Sequence, residues 1–313
     1  MKLPLWRCAG AGLSANGIRP MGVMLATLLI QLSTPVFAQT ECLEFRDPEV
    51  MLSTTDRWRV FVAERDVNRI LDWIVGVTPP PKVVRREVVQ QTRCLLNALS
   101  HSDVPLTEVP QVYSGRRSFT RQQSIWMRKY NFSGGAFDRI SETARNLCGD
   151  GLPAESARWQ PHMASHRQCW LGEGGVGRSL DSNQRQRETL QATAMPGLSR
   201  HHWATDIDIL DPYLNPASWE NAGPYVGAYR WLRQHAGSHG FVQPYRHSQV
   251  NPWFIRIEEG WHWSYYPVAS VLQAFARQHP QALAKRLAEL WGDNESYSFV
   301  RDGIGVTAVL AKD

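Results

Sequence analysis

Two short stretches carry the residue types from which a metal-dependent reaction can be built. The first is Ser199-Arg200-His201-His202-Trp203-Ala204-Thr205-Asp206-Ile207-Asp208. The second is Ile257-Glu258-Glu259-Gly260-Trp261-His262-Trp263-Ser264-Tyr265-Tyr266. Together they offer two imidazoles and a carboxylate to hold a divalent ion, with a glutamate left over to move protons. That inventory is what a metal-activated water needs. The helical zinc signature His-Glu-x-x-His does not occur, so any site must be assembled from separated elements.

The spacings set conditions on those elements. His201 and Asp208 are seven apart, an odd number, so one straight strand points them to opposite faces. They converge only if a turn intervenes. His201-His202-Trp203 can supply it, and Ala204 is small enough to let the backbone approach. Glu259 and His262 are three apart and again opposed on a regular strand. Gly260 offers a bulge or tight turn that brings them to one side. A helical turn would also serve, although Trp261, Trp263 and Tyr265 favour an extended run. Blander readings exist: a core strand with a hydrogen-bonded imidazole, and a solvated ion pair around His201-His202. Two such stretches in order, each inside a strand-like segment, argue against both.

The surrounding pattern predicts the positioning elements. Arg57–Val75 has helical apolar spacing and is stopped by Pro79-Pro80-Pro81. A second helix is expected over Val84–Leu99, with Val88, Val89, Cys94 and Leu95 inward. Val109–Tyr113 reads as extended, Phe119–Asn131 and Phe137–Leu147 as helices, and Cys148–Asn183 as a long loop of the kind often tied to function. Arg185–Ala194 is expected to be helical. Thr205–Leu210 alternates, so Asp206 and Asp208 share one strand face and Ile207 and Ile209 the other. Tyr225–His235 reads as a helix, Phe241–Tyr245 and Trp253–Glu258 as strands, and Val268–Trp291 as a helical tail broken at Pro280. Helices mixed with a few mostly antiparallel strands give an α+β class. The expected division is a leader over 1–38, an N-terminal helical cap over 39–104, a core over 105–270 and a C-terminal helical extension over 271–313.

Lys2, Arg7 and Arg19 make the leader positive, Met21–Leu32 is apolar, and Val36-Phe37-Ala38 fits a signal-peptidase site. Export is therefore expected, with an uncleaved anchor as the other reading and Met21 as an alternative start. The apolar run is too short to span a bilayer comfortably, so no stable membrane span is expected after cleavage. The 34 basic residues less the leader's three, set against 29 acidic ones, leave +2, which excludes a nucleic-acid polycation. Cys42, Cys94, Cys148 and Cys169 follow the leader. An even number in an exported chain suggests two disulfides among three connectivities. Cys42–Cys94 and Cys148–Cys169 are favoured because each closes a local loop.

These residues resemble the VanY-type D-alanyl-D-alanine carboxypeptidases, zinc peptidases of the wider lysostaphin, D-Ala-D-Ala-peptidase and hedgehog group. The family pattern Ser-x-His-x-x-Gly-x-Ala-x-Asp stands here as Ser199-x-His201-x-x-Ala204-x-Asp206-x-Asp208. Its Glu-x-Trp-His-Trp is Glu259-Gly260-Trp261-His262-Trp263. Its Ser-Gly-Tyr-Arg-Ser-x-x-x-Gln is Ser114-Gly115-Arg116-Arg117-Ser118-x-x-x-Gln122. Ala204 replaces a glycine, Asp206 an alanine and Arg116 a tyrosine.

The resemblance implies one zinc ion held by His201, Asp208 and His262, with Glu259 as general base. It also implies Arg117 over the scissile carbonyl, chosen over Arg116 from register. Ser118, Gln122, Trp261 and Tyr265 are candidates for substrate contact, and Asp206 for a partner of a ligand histidine or a solvated acid. The expected partners are peptidoglycan stem peptides in the periplasm or cell wall, met by a monomer with no affinity for nucleic acid. An endopeptidase and a non-catalytic zinc module are the rival readings. Glu259 and Arg117 weigh against the second, since binding alone requires neither.

Overall fold

The computed structural model describes residues 42–131, 170–171, 180–210, 223–245 and 259–298. The chain divides into Met1–Ala38, outside those residues, and Gln39–Asp313, to which everything below applies. The expected helix over Phe137–Leu147, the strand over Trp253–Glu258, most of the Cys148–Asn183 loop and the Cys148–Cys169 pair also lie outside them.

The described residues form eight α-helices around a four-stranded antiparallel sheet, the expected α+β class. The helices are α1 (Pro48–Ala63), α2 (Val67–Ile74), α3 (Lys82–Ser100), α4 (Phe119–Tyr130), α5 (Ser182–Ala192), α6 (Val226–His235), α7 (Tyr266–Gln278) and α8 (Pro280–Trp291). The strands are β1 (Val112–Ser114), β2 (Asp206–Ile209), β3 (Phe241–Val242) and β4 (His262–Tyr265), in the order β1-β2-β4-β3. No helix among the described residues is long and apolar enough to cross a membrane.

The helix expected over Arg57–Val75 is in fact two. α1 ends at Ala63, and Asp66 caps α2 by accepting from the Arg69 amide at 3.0 Å. An Asp at that position satisfies an otherwise orphaned N–H and starts a new helix, a local effect that outweighs apolar periodicity. Within α3, Val88, Cys94 and Leu95 are buried as expected, but Val89 points to solvent. The chain N-terminal to α1 is tied to α3 by a Cys42–Cys94 disulfide, one of the two expected pairs.

Register makes the two sheet faces chemically different. β2 and β4 pair as Asp206↔Ser264, Ile207↔Trp263 and Asp208↔His262. Because side chains alternate, Ile207, Ile209, Trp263 and Tyr265 join the hydrophobic core, with α1, α7 and α8 residues such as Trp58, Leu272 and Leu287. Asp206, Asp208, His262 and Ser264 share the other face. A register shift between Val112 and Ser114 bends β1 so that Ser114 lies opposite Asp208.

A second polar cluster ties the N-terminal helices to the sheet. Glu87 of α3 accepts from the Tyr265 hydroxyl at 2.8 Å and the Trp58 indole at 2.9 Å, and pairs with Arg57. Burial, followed by the negative charge of Glu87, pushes the Tyr265 phenol well above its ordinary pKa.

Candidate metal centre

The turn required between His201 and Asp208 is a short 3₁₀ helix, Arg200–Trp203. It ends at Ala204, which adopts the left-handed conformation at φ 60°. That reversal lets His201 return over the face from which Asp208 projects. The turn is held from below by α2, whose Trp73 indole donates to the Trp203 carbonyl at 3.0 Å.

The second turn spans Glu259 to His262. The His262 amide donates to the Glu259 carbonyl at 3.1 Å, closing a tight turn through Gly260. Trp263 Nε1 donates to the Gly260 carbonyl at 3.0 Å, and Gln243 Nε2 to the Glu259 carbonyl at 3.2 Å. Gln243 is itself fixed by the Tyr229 hydroxyl at 3.1 Å. Of the options open to the sequence, the tight turn is the one adopted, and it places Glu259 Oε2 3.1 Å from His262 Nδ1.

The hydrogen bonds assign a role to each ring nitrogen. His201 Nδ1 donates to the Gly115 carbonyl at 2.8 Å, leaving Nε2 as a lone pair. His262 Nε2 donates to Asp206 Oδ2 at 2.8 Å, leaving Nδ1 to face the opposite way. Both nitrogens point at Asp208 Oδ1, each from 3.4 Å. That oxygen is buried and has no hydrogen-bond partner among the described residues. An orphaned buried carboxylate oxygen is costly unless something binds it.

A cation fits. Zinc–ligand bonds of about 2.0–2.1 Å at tetrahedral angles put neighbouring ligand atoms roughly 3.3 Å apart. The three candidate ligand atoms lie within 4.8 Å of one another, on three buried residues. Two neutral nitrogen donors and one anionic oxygen form a donor set suited to zinc.

Electrostatics prepare this arrangement. Burial opposes ionisation of Asp208, but its interactions with His201, His262 and Arg117 outweigh it and lower its pKa to about 2. Burial lowers the pKa of His201, keeping it neutral and able to ligate. In the metal-free protein His262 goes the other way. Burial disfavours its charge, but hydrogen bonds to Asp206 and Glu259 and the charges of Asp206 and Asp208 raise its pKa to about 9.

Arg117 reaches Asp208, whereas Arg116 is exposed. Arg117 Nη2 donates to Asp208 Oδ2 at 2.9 Å, Nε to Ser114 Oγ at 3.1 Å and Nη1 to Gln122 Oε1 at 3.4 Å. Its backbone is gripped as well. The Arg117 amide donates to the His201 carbonyl at 3.0 Å, and the Arg117 carbonyl accepts from His202 Nδ1 at 2.8 Å.

The four candidates for substrate contact have their side chains engaged within the fold. Gln122 is fully buried, and its amide donates to Thr193 Oγ1 and the Ala194 carbonyl while its oxygen receives Arg117. It orients the arginine instead of reaching outward. Ser118 caps α4 by accepting from the Arg121 amide. Trp261 belongs to the hydrophobic core. Tyr265 is fully buried on the core face, because β4 alternation turns it away from His262. Asp206, left open between a partner of a candidate ligand histidine and a solvated acid, is 0% exposed and bonded to His262, which excludes the solvated acid.

Other contributors carried weaker signals. Arg200 and Ser264 hold Asp206, Gln243 holds the Glu259 turn, and Tyr245 packs edge-on against His262 with ring centroids 4.8 Å apart. Arg200 and Ser264 at least sit inside the two motifs, although only the pairing of β2 with β4 brings Ser264 to Asp206. Gln243 and Tyr245 had no such marker.

Two imidazoles and a carboxylate converging on one face of a small antiparallel sheet give this α+β chain a candidate metal centre. More particularly, residues 81–268 match the VanY D-alanyl-D-alanine carboxypeptidase family, and the chain belongs to it. An uncharacterized protein of Haemophilus influenzae is 33% identical over 82 residues, a match covering 23% of this chain and 61% of that relative. Two solved structures are also similar, each with a TM-score of 0.31. One is a glutamate-to-alanine mutant of the vancomycin-resistance D,D-pentapeptidase VanY from a VanB-type cassette, in complex with Zn(II). It is 18% identical and covers 60% of this chain and 75% of its own. The other is VanYB in complex with D-alanine-D-alanine, 19% identical, covering 64% and 80%.

Proposed function

We propose that the chain is an exported zinc-dependent D,D-carboxypeptidase that removes the terminal D-alanine from peptidoglycan stem peptides. The observation that carries this reading is the orphaned Asp208 Oδ1, faced from 3.4 Å by His201 Nε2 and His262 Nδ1, with Glu259 3.1 Å from the latter. The family match supplies the substrate class, and the positive, then apolar leader with its Val36-Phe37-Ala38 junction supports export.

His201, Asp208 and His262 would hold the ion. Zinc bound there supplies an acidified water and polarisation of the scissile carbonyl. The chain's own residues do the rest. Glu259, at the rim of the site with 13% of its side chain exposed, takes a proton from the attacking water and delivers it to the departing D-alanine amine. Arg117, fixed by Ser114, Gln122 and Asp208, sets a permanent positive charge beside the carbonyl oxygen as it becomes anionic. His202 and Gln122 keep that arginine from drifting.

Incubation with defined muropeptides tests the reading. Free D-alanine from a pentapeptide stem is the expected product. Cleaved cross-linked dimers without free D-alanine would make the protein an endopeptidase, and no hydrolysis of either would remove the peptidase assignment.

A further inference from the structure

Asp206 stands where the family pattern quoted above carries alanine, yet it has more polar partners than any proposed ligand. Its Oδ2 receives His262 Nε2 at 2.8 Å and Arg200 Nε at 3.0 Å. Its Oδ1 receives the hydroxyls of Ser264 and Thr205, each at 2.7 Å. Arg200 Nη2 closes the cluster by donating to Ser264 Oγ at 2.9 Å. The carboxylate is 0% exposed, the Arg200 side chain 12%. Arg200 is braced in turn by the Trp203 ring, 4.7 Å from its guanidinium carbon.

A buried carboxylate needs this much compensation to remain charged. Arg200 supplies the opposite charge, and the two hydroxyls satisfy the oxygen that His262 does not use. The product is one strong acceptor aimed at His262 Nε2. An imidazole that donates firmly from one nitrogen must offer its lone pair at the other, and a carboxylate at the far side raises the basicity of that lone pair.

We propose that Asp206, held by Arg200, Ser264 and Thr205, is a positioning residue that locks His262 into the tautomer whose Nδ1 receives the metal. The proposal rests on the ligand set proposed above. It assigns to a residue outside that set a direct effect on metal affinity. The relay is specific to Nδ1 ligation: if the proton moved to Nδ1, the site would lose one of its three donors. A carboxamide at position 206 cannot hold it as firmly, because its oxygen is uncharged and its NH2 group would drive the proton the wrong way.

The test is zinc competition against a chromophoric chelator, with thermal unfolding of the metal-free proteins read alongside. For Asp206→Asn the zinc dissociation constant is expected to rise roughly 10–100-fold. Ser264→Ala, which removes one bond to Asp206 and nothing from His262, is expected to give a smaller rise in the same direction while the metal-free protein keeps its fold. Histidine-selective nitrogen NMR of the zinc-loaded wild type is expected to show His262 protonated at Nε2. Zinc affinity within twofold of wild type in both variants, or a metal-bound Nε2 in His262, would overturn the relay while leaving the ligand set intact. Equal zinc content in wild type and His262→Ala would overturn the ligand set and the relay with it.

Discussion

At the scale of single residues the site is defined by which atom of each side chain is already engaged. His201 spends Nδ1 on the Gly115 carbonyl, His262 spends Nε2 on Asp206, and Asp208 spends Oδ2 on Arg117. What remains is one inward-facing atom on each, with His262 Nδ1 also meeting Glu259 Oε2 at 3.1 Å. Glu259 lies beside that point without being needed to complete it. Glu259→Gln is therefore expected to retain stoichiometric zinc while kcat falls by roughly 100–10,000-fold; metal analysis and D-alanine release on the same sample check both halves. Ala204 is a different case, a residue with a Cβ in a left-handed conformation that costs about 1 kcal/mol or more. Ala204→Gly relieves this but makes the unfolded chain more flexible. The expected balance is a gain of about 0.5 kcal/mol in urea unfolding, with zinc affinity unchanged. The proposed ligands and base came from the family resemblance, while their spacings showed only that a turn had to precede each strand. The partners of Asp206 were not legible, since Asp206↔Ser264 becomes a neighbouring pair only through the register of β2 on β4.

Elements place these residues by gripping two turns. The 3₁₀ turn Arg200–Trp203 rests on α2, and the Glu259–His262 turn is clamped by Gln243 and Trp263. Beneath the first turn, Gly76 follows α2 with φ 82°, and its carbonyl accepts the Phe119 amide at 2.9 Å as α4 begins. A Cβ at Gly76 would stand 2.4 Å from His202 Nδ1, the nitrogen that holds the Arg117 carbonyl. Gly76→Ala is expected to cost about 2–4 kcal/mol, from backbone strain and the clash together. It should also lower kcat by displacing Arg117. Chemical denaturation and steady-state kinetics measure the two effects, and a stable variant with full kcat would show that His202 does not govern the arginine. The strand faces of β2 and the break of the C-terminal helices at Pro280 were readable from alternation and from proline. The division of α1 from α2 was not, because a single Asp66 cap decided it against a continuing apolar pattern. The placements of Trp261 and Tyr265 were not legible for a related reason. Aromatic residues in a motif look like substrate contacts, but Trp261, Trp263 and Tyr265 all fall on the core side, opposite His262.

For the molecule as a whole, pH acts on the metal-free fold from two sides. His202 is buried, receives the Gly197 amide at Nε2 and donates from Nδ1 to Arg117, so only its neutral form satisfies both partners. Burial lowers its pKa from 6.5 to about 4. The unfolded chain therefore binds the proton more readily, and stability is lost as pH falls from 6.5 through 4, by about 3 kcal/mol from this residue. His262, raised to about 9 in the metal-free protein, works in the opposite sense. Its contribution is complete below pH 6.5 and lost as pH rises through 9. Urea midpoints of the metal-free protein should peak near neutrality, and His202→Gln should flatten the acid limb. An unchanged acid limb in that variant would exclude His202 as its source.

The central claim is that His201, Asp208 and His262 hold one catalytic zinc ion. Titrating zinc back into chelator-stripped protein while following D-alanine release from a pentapeptide stem tests it most directly. Activity is expected to be absent in the stripped protein, to rise linearly and to saturate at one equivalent. Full release from the stripped protein, or saturation at a different stoichiometry, would contradict the claim.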